Sequence, residues 1–260
     1  MCAAETSQVT ETPDAFACRI IATLSATSVV FVLTLPAGLG IAIGAAFVFS
    51  ALLTGLQGWI IGTFRANPII VSMAMLALVL GVASLAMGGR GVYPQGSELD
   101  VFKGRLGIVP IPVAVFLAVT VIAQIVLSGT AFGRRLVLVG SNARAARAAG
   151  IEPWRTVTLA YVAAGLCTAA SAILLASRYG SGDMELGVGY DYHAISAVLV
   201  GGNAIQGGEG SALRTLAGAL VIAVVESLLL LHGFSTQMQY LVIGIIVLGV
   251  IMLHTLGDRH

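Results

Sequence analysis

The sequence predicts an all-α, polytopic integral membrane protein of about eight transmembrane helices, one of them short or broken. Composition is the first reason. Only 10% of the 260 residues are charged and 58% are hydrophobic, with a mean hydropathy of +0.99. An ordinary soluble domain is roughly 25% charged and about 45 to 50% apolar. So few charges cannot cover the surface of a globule this size, whereas a bilayer asks for apolar side chains on the outside as well. The second reason is pattern: apolar runs alternate with Gly, Pro and charge clusters, and at roughly 20 residues per crossing the length allows about seven to nine spans. A soluble enzyme is excluded, and a net charge of +1 gives no sign of nucleic-acid binding.

Taken in order, residues 1–14 form a polar tail without the basic region of a signal peptide, and no lipidation pattern surrounds Cys2. Residues 15–256 then form one membrane domain, followed by a short tail at 257–260. Its predicted spans are Phe16–Leu35, Ala37–Phe64, Ile69–Met87, Ile108–Leu127, Thr156–Ser177, the short Tyr190–Val200, Leu213–Leu231 and Gln237–Leu253. Each must be helical, because lipid offers nothing to satisfy a bare backbone. Pro36 and Pro68 mark boundaries, and Pro110 and Pro112 fall in a first turn, where a missing donor costs little. The second run holds Gly38, Gly40, Gly44, Gly55, Gly58 and Gly62, a density that lets membrane helices approach closely.

Arg134, Arg135, Arg144, Arg147 and Arg155 crowd residues 128–155 against a single Glu152, which makes that loop cytoplasmic. Counting outward puts Arg65 in a cytoplasmic turn and the loops Gly88–Gly107 and Arg178–Gly189 outside. Both termini are then inside, provided the short run Tyr190–Val200 crosses. The outer loops carry Glu98, Asp100, Asp183 and Glu185, as that orientation requires.

Three segments carry the candidate chemistry. In residues 141–150, Ser141 or Asn142 caps a short helix favoured by its alanines and stopped by Gly150. Arg144 and Arg147 share one face of it, set either to meet another protein or only to fix topology. Around Tyr190–Val200, with Asp191 and His193 at its start and Gly201, Gly202 and Asn203 at its end, the apolar core is too short to cross comfortably. It reads either as a broken helix beside a translocation path or as a tilted short helix between glycine loops. Glu226 lies inside an apolar span, where a charge costs roughly 2.5 to 3.5 kcal/mol. It either relays protons or bonds to a neighbouring helix, through Ser227 or a partner such as Gln124. Lys103 is the only lysine and is followed by Gly104 and Arg105, so no glycine-rich phosphate loop ending in Lys and Ser/Thr exists. His193, His232, His254 and His260 show no metal-ligand spacing, and three scattered cysteines make no disulfide framework.

Three stretches together resemble a known family. They are Thr130-Ala131-Phe132-Gly133-Arg134 leading into Gly140-Ser141-Asn142, Ala145-Ala146-Arg147 and Gly150-Ile151; Gly189-Tyr190-Asp191 with Ala194-Ile195, Ala197-Val198, Gly201-Gly202, Gly207-Gly208-x-Gly210, Thr215-Leu216 and Gly218-Ala219; and Pro68-Ile69-Ile70-Val71 with Gly88-Gly89-Arg90. In this order they resemble the permease subunits of ribose/xylose-type ABC sugar importers, in the superfamily that includes branched-chain amino acid permeases.

The resemblance implies a multi-pass subunit of the cell membrane, catalytically inert, that binds no cofactor and relies on ATP used by a partner. Its implied partners are ABC ATPase subunits, a solute-binding protein delivering a monosaccharide, and a second permease subunit, identical or not, all within membrane lipid. It assigns ATPase coupling to Asn142, Ala143, Arg144, Ala146, Arg147 and Gly150, and a translocation path to Asp191, His193, Gly201, Gly202, Asn203 and Glu226. Ala143 stands where the family usually has Glu, His193 where an acid is common, and Arg214 where Gly is usual. The family's first two spans and the Asp-Leu-Ser-Val-Gly stretch after them are not seen, so about eight spans are expected against about ten. Two competing expectations follow: a proton-coupled carrier using Glu226 and Asp191, and an N-terminally truncated, inactive permease.

Overall fold

The chain's architecture is that of a helical membrane protein whose long helices hide small residues and display large ones. A computed structural model describes residues 23–24, 26–30, 34, 38–64, 66–87, 104–106, 109–182, 187–203, 208 and 210–257. The predicted tail at 1–14, most of the first span, Arg65, Lys103, Glu98, Asp100, Asp183 and Glu185 lie outside these residues. Helices α1 (Leu39–Phe64) and α2 (Pro68–Met87) come first, then a two-residue antiparallel ladder, β1 (Arg105–Leu106) against β2 (Val109–Pro110). Next are α3 (Ile111–Gly129), α4 (Ala131–Ser141), α5 (Ala143–Ala148), α6 (Pro153–Tyr179), α7 (Tyr190–Val200), α8 (Ala212–Leu231) and α9 (Thr236–Gly257). Among the described residues, α1, α2, α3, α6 and α8 are long and apolar enough to cross a membrane.

Most predicted spans reappear with ends shifted by a few residues. Proline explains two of the shifts. Pro68 opens α2 one residue early, behind Asn67, whose Oδ1 accepts from Ile69 N at 2.9 Å. Pro153 opens α6 three residues before the predicted start, since a ring with no N–H fits the first turn. The span expected from Ile108 begins at Ile111, because Val109 and Pro110 are drawn into the ladder and Pro110 is extended (φ −60°, ψ 140°). One element was not foreseen: the basic loop expected around a single short helix holds a second helix, α4.

α1 and α6 run antiparallel along a seam of small residues. From α1 come Ala42, Ala46, Ser50, Thr54 and Gly58, and from α6 Tyr161, Gly165, Ala169, Ala172 and Ala176, all buried. A methyl group at Gly58 would lie 2.7 Å from Tyr161 Cβ, and one at Gly62 2.9 Å from Trp154 Cα. Ser50 Oγ donates to the Gly165 carbonyl at 2.7 Å. Ile41, Val48, Leu52, Leu159 and Leu166 point outward, the reverse of a water-soluble helix pair and the arrangement a lipid solvent favours.

Candidate functional site

One end of the molecule is built around α4 and α5. Thr130 ends α3 and starts α4, its Oγ1 accepting from Gly133 N at 3.3 Å. Gly133 lies against the Leu127 carbonyl so closely that no side chain fits, which makes the α3–α4 elbow sharp. Asn142 joins α4 to α5: its N–H donates to Leu138 O, and its Oδ1 accepts from Arg144 N at 3.0 Å and Ala145 N at 3.1 Å. Gly150 closes α5 in the left-handed region (φ +78°). The bonds Gly150 N to Arg147 O (2.9 Å) and Ile151 N to Ala146 O (3.0 Å) form the paired C-terminal cap that Gly favours.

α5 is seated by one side chain. Ala146 is buried in a cluster with Ile61, Val139, Val157 and Tyr161, joining α5 to α1, α4 and α6. Arg144 and Arg147 remain exposed and Ala143 half-buried. Arg147 borders a cleft of about 660 Å³ lined also by Trp59, Gly62, Glu152 and Trp154. Arg155 pairs with Glu152 at 2.6 Å, both well exposed, so that pair contributes about 1 kcal/mol at most.

The second assembly is a helical hairpin, α7 against α8. At 11 residues, α7 is about 16 Å long, half a bilayer's hydrocarbon thickness. Gly218 meets the Ala197 carbonyl and Gly201 the Arg214 carbonyl with no room for a side chain. α7 ends in the same motif as α5, with Gly202 left-handed (φ +73°), Gly202 N on Leu199 O at 2.9 Å and Asn203 N on Val198 O at 3.3 Å. Asn203, 8% exposed, then binds forward: Nδ2 donates to Thr215 Oγ1 at 2.9 Å and Oδ1 accepts from Ser211 N at 2.8 Å. Gln124 of α3 completes the junction, its Oε1 accepting from Ser211 Oγ at 3.0 Å and Leu213 N at 3.3 Å.

At the hairpin's other end His193 Nδ1 and Glu226 Oε1 are 2.5 Å apart, with side chains 29% and 28% exposed. Tyr190 and Tyr240 flank the imidazole, with ring centroids at 6.1 and 6.2 Å. An acid and an imidazole that satisfy each other lessen the cost of either at membrane depth.

Residues 15–251 match the family described as the branched-chain amino acid transport system permease component. The chain belongs to this permease family. Similar proteins include the L-arabinose transport system permease protein AraH of Escherichia coli, 32% identical over 235 residues, which are 90% of this chain and 71% of that one. The ribose import permease protein RbsC of Bacillus subtilis is 31% identical over 200 residues, 76% of this chain and 62% of its own. The galactofuranose transporter permease protein YtfT of Escherichia coli is 30% identical over 215 residues, 80% and 63% of the two chains. No solved structure matches. This permease therefore falls where its motifs pointed, among the sugar permeases of ABC importers, as a multi-pass membrane protein and a transport component rather than an enzyme.

The predicted residues of the permease divide among three places. Asn142, Ala143, Arg144, Ala146, Arg147 and Gly150 all lie on or beside α5, but Ala146 faces inward and holds the helix down. Gly201, Gly202 and Asn203 gather at the hairpin's junction, while His193 and Glu226 pair about 12 Å further along α7. Of Asp191 only the backbone, in the first turn of α7, is described. The partners proposed for Glu226 are corrected: Ser227 Oγ donates to Ala223 O of its own helix, and Gln124 caps α8. The partner is His193, two elements distant from any local pattern around Glu226. Gln124 was legible as a lone amide in an apolar span, but Tyr240 carried no signal.

Proposed function

We propose that this permease forms the translocation path for a monosaccharide in an ABC importer, receiving the sugar from a solute-binding protein and drawing on ATP hydrolysed by separate ATPase subunits. The observation that carries the reading is similarity along residues 15–251 to permeases named for arabinose, ribose and galactofuranose. The local geometry is consistent: a capped helix, α5, shows Arg144 and Arg147 beside Ala143, a surface suited to acidic and carbonyl groups of an ATPase. In this reading residues 15–256 are one domain in the cell membrane with about eight crossings, the α4–α5 end and both termini in the cytoplasm, a second permease subunit beside it and no nucleotide or cofactor site of its own. Asp191, His193, Gly201, Gly202, Asn203 and Glu226 border the path. Because Glu226 already has His193 as a partner, the geometry gives no separate support to a proton-coupled carrier.

The test is reconstitution with the ATPase and binding protein in vesicles, following labelled L-arabinose and ribose. ATP-dependent uptake is expected, falling at least tenfold when Arg144 and Arg147 are both changed to Glu, with the chain still inserted. Uptake that continues without any ATPase would overturn the reading.

A further inference from the structure

We propose that Ser141 and Gly208 form a bearing on which the hairpin turns against the docking end, making them positioning residues for the transport step. The inference rests on the importer reading and adds to it where the moving boundary lies. The docking end is fixed to the α1–α6 pair through one shared core, since Ile61 of α1, Val139 of α4, Ala146 of α5 and Val157 and Tyr161 of α6 pack together. A push on α5 therefore moves α4, α5 and α6 together.

The hairpin stands outside that core. It is fastened within itself at four points, Gly218 on Ala197, Gly201 on Arg214, Asn203 on Thr215 and His193 with Glu226. Between it and α3–α4 lies a cleft of about 580 Å³, with Phe116, Leu136 and Val137 on one side and Val198, Ser211 and Thr215 on the other. Packed interiors leave few such gaps, so the two bodies meet along a boundary that is not filled. Gly208 crosses it. A methyl group there would lie 2.6 Å from Ser141 Oγ and 3.0 Å from Ser141 Cα, and its φ of +84° suits glycine. Ser141 is the last residue of α4, immediately before the Asn142 cap of α5. Gly208 thus touches the docking end at the joint that α5 would move, and without a side chain it can roll there. The other tie across the boundary is Gln124, whose bonds to Ser211 and Leu213 bend more readily than packing does.

The experiment uses the whole importer in vesicles, in a permease with Cys2, Cys18 and Cys167 replaced by Ala. Ser141→Cys and Gly208→Cys are introduced together, and uptake of ribose or L-arabinose, whichever the unchanged permease imports, is measured with ATP hydrolysis. Oxidation to the cross-link is expected to lower uptake at least tenfold, and reduction to restore it, with the complex intact throughout. Full uptake by the cross-linked complex would overturn the bearing. A second pair guards against failure of the cysteine variant to assemble. Gly208→Ala should lower sugar moved per ATP about fivefold, and adding Ser141→Gly should recover most of it; no change in that ratio, or no recovery, counts against the bearing. Absence of ATP-driven uptake in the unchanged permease would instead remove the importer reading itself.

Discussion

The α1–α6 seam and the α7–α8 hairpin are both antiparallel helix pairs with glycine at their contacts, yet they are held in different ways. Along the seam, backbones approach over many turns through Ala42, Ala46, Thr54, Gly58 and Gly165, so attraction is spread over many small van der Waals contacts. In the hairpin, a short helix too brief to bury much surface is tied by named polar groups, His193 to Glu226 and Asn203 to Thr215 and Ser211. A seam resists any added atom but tolerates the loss of one hydrogen bond. A clasp does the opposite. That division suits a transporter, in which one part must hold its shape while another changes position.

Overfilling the seam should have the largest effect. Gly165 sits so close to Thr54 Oγ1 that even a methyl group collides with it, and the same carbonyl receives the Ser50 hydroxyl. Gly165→Leu should cost more than about 3 kcal/mol and abolish monodisperse protein in detergent, read by size-exclusion yield and thermal melting. A comparable substitution on the outer face, Leu166→Phe, should be nearly silent. If Gly165→Leu melts like the unchanged protein, the seam is not what holds these helices.

Unpairing the clasp comes next. His193→Leu leaves the Glu226 carboxylate without its partner at membrane depth. Because both side chains keep over a quarter of their exposure, the cost should be about 2 kcal/mol rather than the 3 to 5 typical of a fully buried pair. The double change, His193→Leu with Glu226→Leu, removes both charges and should restore the melting midpoint to near its original value. Uptake by the double variant then tells whether the pair serves transport as well as folding: recovery of stability without recovery of uptake identifies a path residue.

How much of this was readable beforehand depended on whether the deciding contact was local. The ends of α5 and α7 were legible because Asn142, Gly150 and Gly201–Gly202 act on backbone groups within four residues of themselves. The proline starts at Pro68 and Pro153 are local in the same sense. α4 escaped because its LVLV run, too short for a span and flanked by arginines, looks like part of a basic loop until its inner face, Gly133 and Val139, has something to pack on. The pairing of His193 with Glu226 was out of reach, since it depends on how two helices are laid side by side, and nothing around either residue encodes that register. Motif order did identify the family, because many weak local signals in sequence add up where no single one decides.

The smallest effect tests the comparison most sharply, because it concerns a polar pair on the seam's own helix. Gln57, 2% exposed, donates from Nε2 to Ser72 Oγ at 3.0 Å and links α1 to α2. Were α1 held by such bonds, the contrast between seam and clasp would lapse. Ser72 does not depend on Gln57, however, for its own hydroxyl donates to Pro68 O at 2.7 Å, so removing the amide leaves no orphaned donor. Gln57→Leu keeps nearly the same volume and should cost about 0.6 kcal/mol, the usual worth of a hydrogen bond between membrane helices. For a chain this long that is a shift of roughly 2 °C or less in melting midpoint. A shift as large as that of His193→Leu would mean that polar ties, not close packing, fix α1 in place, and the division of the molecule into a packed scaffold and a clasped hairpin would have to be withdrawn.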